Sequence, residues 1–308
     1  MSAAGEEDGA PGAAPVRRAA PAGSIHIGLP PKPTPKGRFA DLRPRMITAF
    51  VLGPLAFGAL ILGGWFSAGL VALLGGVLVI EWRMITARAG GWPARTDAGY
   101  AAAVVAAVLL LPAKGAEAAF AALVLGLGLG MIGDLAERRP DRAAWGIGGT
   151  LAIGTALIAF LWLRLTDPFG VLTIIWVVLV VVATDVGGYF AGRAIGGPKL
   201  WPAVSPKKTW SGLAGGVVLA SITGLIFSGA TTGTFFEEVC TVSAAAALCA
   251  VAGDLAESQV KRRFGVKDAS ALLPGHGGAL DRFDGLMAAT LVVALVTLWR
   301  GQTVFIWS

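Results

Sequence analysis

Hydrophobic runs of roughly 15–21 residues recur along the chain, divided by short polar links, and that is about the length an α-helix needs to cross a bilayer. Nine such runs are visible, at about 46–64, 65–81, 98–112, 116–133, 145–163, 171–190, 212–228, 239–254 and 286–299. The sixth is rich in Val and Ile, but it is too long for a strand, and a backbone in lipid must satisfy its own hydrogen bonds. The expected fold is therefore an all-α polytopic integral membrane protein with about nine transmembrane helices. An apolar content of 55% and a mean hydropathy of +0.72 are rarely met in soluble domains. The 44 glycines follow no triplet period, so they suit close helix approach in lipid rather than collagen.

Lys and Arg are not spread evenly. They concentrate before the first run and in the links after the second, fourth, sixth and eighth, while the other links hold almost none. By the positive-inside rule the amino terminus is cytoplasmic and the carboxyl terminus outside. The polar links 191–210 and 254–284 then face the cytoplasm, where nucleotides are. A net charge of +6 and a pI near 9.7 speak here of inward loops and anionic lipid, not of nucleic acid.

Residues 1–45 are rich in Ala, Gly and Pro and cannot bury a core, which predicts a disordered cytoplasmic tail. Helices at 46–165 form an N-terminal half, and 166–308 a C-terminal half that holds most of the chemistry. No internal repeat is evident, which weighs against an inverted-repeat transporter. Cys240 and Cys249 make neither a disulfide framework nor a CxxC pair. His26 and His276, the two histidines, are too few for a zinc or di-iron centre.

The polar residues converge near the end. Carboxylates at Asp254, Asp281 and Asp284 stand beside Lys261, Arg262, Lys267 and Arg282. That mixture suits a polyanion bound through a divalent metal, with Lys and Arg taking the remaining phosphate oxygens. A loop made basic for topology alone needs no interleaved Asp. Asp254, Glu257 and Ser258 are spaced to share one helical face, as are Asp281 and Asp284. The bland alternatives are solvated carboxylates at the interface and acids favoured at a helix N-terminus.

Pro274-Gly275-His276-Gly277-Gly278 allows positive φ and close approach of peptide N–H groups to phosphate. Within it His276 is a general acid or a hydrogen-bonding strut, and the strut is favoured. Ser205-Pro206-Lys207-Lys208-Thr209 is a phosphate clamp or a topology signal. Asp185 lies in an apolar run, where an ionisable residue is functional by default and needs a cation or a metal as partner.

Ser258-x-x-Lys261-Arg262, Lys267-Asp268, Pro274-Gly275-His276-Gly277-Gly278 and Asp281-Arg282-x-Asp284 together resemble the signature of the phosphatidate cytidylyltransferases, or CDP-diacylglycerol synthases. Supporting matches are Asp185 with Gly187, Tyr189 and Gly192, the Ser205–Thr209 run, and Gly253-Asp254-Leu255 with Glu257-Ser258. The resemblance covers roughly 170–300. Two positions depart from it: Ser211-Gly212 stands where the family usually has Glu-Gly, and Gly188 where it tends to have Ala.

The resemblance implies a membrane enzyme, commonly a homodimer, that makes CDP-diacylglycerol and pyrophosphate from CTP and phosphatidate with Mg²⁺. It places the protein in the inner (plasma) membrane with its active site facing the cytoplasm. It further implies that Asp254 and Asp281 bind the metal centre, which includes a monovalent ion such as K⁺, with Asp284 assisting. Asp254, Asp281, Asp284 and Lys261 become the candidate catalytic residues. Asp185, Ser205, Lys207, Lys208, Thr209, Ser258, Arg262, Lys267, His276, Gly277, Gly278 and Arg282 become the candidate substrate-binding set. Two other readings stay open at this point: a CTP-dependent transferase acting on an isoprenoid lipid, and a transporter of an anionic solute.

Overall fold

The computed structural model describes residues 53–55, 57–86, 95–233, 237–267, 269–270 and 277–306. The expected tail at 1–45, the start of the first expected span, and His276 lie outside them. The apolar runs are helices: α1 (Gly64–Thr86), α2 (Arg95–Ala136), α3 (Pro140–Leu165), α4 (Gly170–Ala194), α5 (Trp210–Thr232), α6 (Glu237–Arg263) and α7 (Leu280–Arg300). Among the described residues, seven helices are long and apolar enough to cross a membrane.

The helix α2, of 42 residues, takes in both the third and the fourth expected runs. It is not straight. Gly115 has φ 81° and ψ 179°, a left-handed conformation that a side chain would strain. Beyond it the chain doubles back: Gly126 packs on Ala103, Gly130 on the Tyr100 ring and Gly133 on Thr96. One number rises as the other falls, so α2 is a hairpin of two antiparallel helices.

Two apolar clusters organise the rest. Leu78, Val104, Leu123, Ile158 and Leu161 centre the first, between α1, α2 and α3. Trp176, Val180, Ala220, Val242 and Val293 centre the second, between α4, α5, α6 and α7. Leu280, Phe283 and Met287 of α7 also belong to the first, so this last helix touches both halves. The faces turned outward carry large apolar side chains such as Leu125, Leu129, Leu298 and Trp299, as contact with lipid requires.

Helices α4 and α5 meet through small residues. Gly212, Gly216, Ala220 and Gly224 recur every fourth position and are buried on α5. A Cβ on Gly216 would stand 2.7 Å from the carbonyl oxygen of Thr184, and one on Gly187 2.6 Å from that of Gly215. Only backbones without side chains approach so closely. The polar link 191–210 carries an antiparallel hairpin of β1 (Lys199–Trp201) and β2 (Ser205–Thr209).

Two of the cations in the links after the second and fourth runs, Arg83 and Arg142, hold internal ion pairs. Arg83 is buried on α1, with Nε 2.5 Å from Asp97 and Nη2 2.9 Å from Asp134. It lies 4.6 Å over the Tyr100 ring and donates to the carbonyl of Arg142 at 2.7 Å. Arg142 returns a second ion pair to Asp97 at 3.1 Å. Two cations and two carboxylates thus tie α1, α2 and α3 together. Trp145 of α3 in turn packs on Phe264 and beneath Arg263, at the end of α6.

Candidate active site

Helix α6 runs nine residues past the apolar stretch that predicts it, which makes Asp254, Glu257, Ser258 and Lys261 one helical face. Helix α7 starts six residues before its apolar stretch, so Asp281 and Asp284 lie in its first two turns. The two helices pack closely here because Gly253 has no side chain: a Cβ there would sit 2.7 Å from the carbonyl oxygen of Asp284.

Lys261 is the hub. Its Nζ stands 2.5 Å from Asp281 Oδ1 and 2.6 Å from Glu257 Oε2. The other oxygen of Asp281 accepts the backbone N–H groups of Ala269 at 3.3 Å and Gly278 at 3.4 Å. Asp281 therefore holds both a cation and the two ends of the loop before it. Gly278 is required by space, since a Cβ would lie 2.6 Å from that of Ala269, and Gly277 by its φ of 85°.

A second pair closes the other side. Lys208, near the end of β2, places Nζ 2.5 Å from Asp254 Oδ2, and Ser258 donates to Asp254 Oδ1 at 3.3 Å. Lys207, its neighbour, is exposed. Thr209 caps α5, accepting the N–H of Gly212 at 3.1 Å, so its role is to start the helix that carries the hairpin. Ser205 pairs with Trp201 across the strands. Ser211, at the position that departs from the family pattern, gives its hydroxyl to the carbonyl of Gly196 and brings no carboxylate. Asp185 of α4 interacts electrostatically with Lys208, Asp254 and Arg282, so it joins the cluster across the bundle. Arg262 and Lys267 are exposed at the rim.

Of the three carboxylates expected to hold metal, Asp254 and Asp284 come together, and the third member of their group is Glu257. Ligand oxygens of these three lie within 4.8 Å of one another. Asp281 stands beside them, tied to Lys261. The donors are all hard oxygens, which suits a hard cation rather than a softer metal.

Sequence reasoning gives Glu257 no role of its own. Its spacing from Asp254 and Lys261 is the signal that places it, but its burial, 7% exposed, is visible only in the fold. Glu81, at the edge of the second run, is missed entirely; it reaches the first turn of α7 from the other half of the chain.

Comparison with known proteins bears on the same residues. A family model described as "Cytidylyltransferase family" matches residues 43–299. The phosphatidate cytidylyltransferase of Pseudomonas aeruginosa is 38% identical over 268 residues, covering 84% of this chain and 97% of the relative. That of Brucella suis is 36% identical over 256 residues, covering 83% and 93%. That of Helicobacter pylori is 43% identical over 142 residues, covering 45% and 53%. With most of its length matched, and with the carboxylate and lysine cluster inside the matched region, the chain belongs to the cytidylyltransferase family, among the phosphatidate cytidylyltransferases.

Proposed function

We propose that the protein joins CTP and phosphatidate to give CDP-diacylglycerol and pyrophosphate. The observation that carries this reading is the cluster of Asp254, Glu257, Lys261, Asp281 and Asp284 where α6 and α7 meet, within a chain of membrane-crossing helices. An oxygen of the lipid phosphate forms a bond to the α-phosphorus of CTP. The bond from that phosphorus to the oxygen bridging to the β-phosphate breaks, and pyrophosphate departs with the electron pair. The lipid phosphate is already ionised at neutral pH, so the chain has no strong base to supply.

What remains is to bring two anions together and to steady the charge as it moves, which positioned cations do well in a site with little water. Lys208 and Lys261 are held in place by Asp254 and Asp281, and Lys207 and Arg262 stand exposed to meet further phosphate oxygens. Asp254, Asp281 and Asp284, with Glu257 beside them, would hold Mg²⁺, and K⁺ as a second ion. Bound there, the metal would draw charge from the phosphates of CTP.

The charge of the links supports an active site facing the cytoplasm, in the inner membrane, with the amino terminus inside and the carboxyl terminus outside. The α2 hairpin turns one of the seven long helices into two, which supports eight crossings, and the first run, at about 46–64, would be the ninth. The family resemblance supports a homodimer. Transport is the weaker reading, since the charged residues gather where α6 and α7 meet rather than along a path between helices.

The deciding assay uses detergent-purified protein with phosphatidate, Mg²⁺ and each of CTP, dCTP, ATP, GTP and UTP, following pyrophosphate. Release with cytidine nucleotides only, and only with phosphatidate present, is the expected result. Folded protein that releases none with any nucleotide would remove this function. A second expectation concerns residues 1–40: their deletion leaves turnover intact, as for a tail outside the core. A collapse of turnover at unchanged expression would assign them to the enzyme proper.

A further inference from the structure

Helix α7 begins without a cap of its own. Ala279 stands at its N-cap and offers no side-chain acceptor, although the first turn of a helix leaves four N–H groups without partners inside it. The acceptor comes from α1. Glu81 is buried, 0% exposed, and its Oε1 accepts the N–H of Ala279 at 3.0 Å while Oε2 accepts that of Leu280 at 2.6 Å. The hydroxyl of Ser270 donates to Oε1 as well. Bonds to an ionised acceptor are among the strong ones, and an anion at a helix N-terminus is favoured by the dipole.

Glu81 shares its task with Asp281. One carboxylate grips the loop at residues 270, 279 and 280, and the other grips it at 269 and 278. A neighbouring Ser or Asp would satisfy the helix end at less cost than a carboxylate buried on another helix. A local cap, however, fixes a helix only to its own chain. Glu81 fixes the first turn of α7 to α1, and that turn determines where Asp281 meets Lys261 and where Asp284 meets Asp254 and Glu257.

We propose that Glu81 is a positioning residue, which sets the place and rotation of the first turn of α7 so that Asp281 and Asp284 converge on Lys261 and Asp254. The proposal rests on reading that cluster as the active site.

Glu81→Gln tests it, because the amide keeps the shape but offers one acceptor oxygen and turns a donor toward a donor. Two quantities are read: steady-state turnover, and amide hydrogen exchange over residues 277–285. A displacement of about 1 Å at reacting groups costs on the order of 10²-fold in rate, so kcat should fall by about that factor while KM for CTP changes little. Exchange over 277–285 should quicken while that of α4 and α5 stays as in the wild type. Glu81→Asp, which keeps the charge on a shorter arm, should recover part of both.

Wild-type kcat in Glu81→Gln would overturn the proposal, as would lost kcat with unchanged exchange at 277–285. Should the glutamine variant fail to insert, the aspartate variant carries the same test, and unchanged kcat and exchange would again overturn it. A wild-type protein without CTP and phosphatidate turnover would defeat the functional reading instead. The exchange comparison still decides whether Glu81 holds the turn.

Discussion

Asp281→Asn is expected to reduce turnover by about three orders of magnitude or more, since preorganised charge supplies the largest share of catalysis at sites of this kind. Asparagine keeps the shape of the side chain but gives up its charge and one acceptor. If its oxygen stays with the N–H groups of Ala269 and Gly278, its NH₂ faces the Lys261 ammonium. If it turns over, the NH₂ faces those two donors. Either way Lys261 loses the negative charge 2.5 Å away and leans more on Glu257. The apolar residues that seat α7, among them Leu280, Ala289 and Val293, are untouched, so the variant should still insert and fold. The check is turnover of the purified variant beside its thermal unfolding. A well-folded protein with near-normal activity would take Asp281 out of the site.

The largest expected effect on stability lies away from the chemistry. Arg83→Ala leaves Asp134 buried without its cation and Asp97 with Arg142 as its remaining ion-pair partner. Removing one partner of a buried ionic group costs about 3–5 kcal/mol. At the heat capacity and entropy of a chain this long, that corresponds to a fall in thermal midpoint on the order of 10 °C. Much of the loss comes from the stranded carboxylate, so adding Asp134→Leu to an Arg83→Met background should restore part of it. A midpoint for Arg83→Ala within a degree or two of wild type would mean that water or a rearranged Arg142 takes over the pairing.

The membrane helices were legible because lipid demands long apolar runs, and each described helix covers a run seen in the sequence. Their ends were not. Hydropathy marks where the lipid stops, whereas helical hydrogen bonding continues while side chains allow it, as in α6 from Asp254 to Arg263. The residues of the site were legible as a motif: Asp254, Lys261, Asp281 and Asp284 do converge, and Lys208 joins them from β2. The pairings within it were not, since Lys261 and Asp281 are 20 residues apart and their contact depends on how two helices cross.

Arg83 and Asp134 are separated by 51 residues, and a cation beside an apolar run looks the same in sequence whether it faces water or an internal carboxylate. Glu81 is the extreme case. Nothing local distinguishes an acid at the end of a span from one that grips a helix 198 residues later.

That separation has a consequence for how the protein is made. Chains are synthesised and inserted from the amino terminus, and the first segments fold before the last have left the ribosome. Glu81 then has no donors from Ala279 and Leu280 until nearly the whole polypeptide has emerged, and a carboxylate buried without such donors is costly. The early helices are thus held short of completion by a vacancy that only the final helix fills. A product truncated before residue 279 lacks Asp281 and Asp284 as well as the two backbone donors that satisfy Glu81.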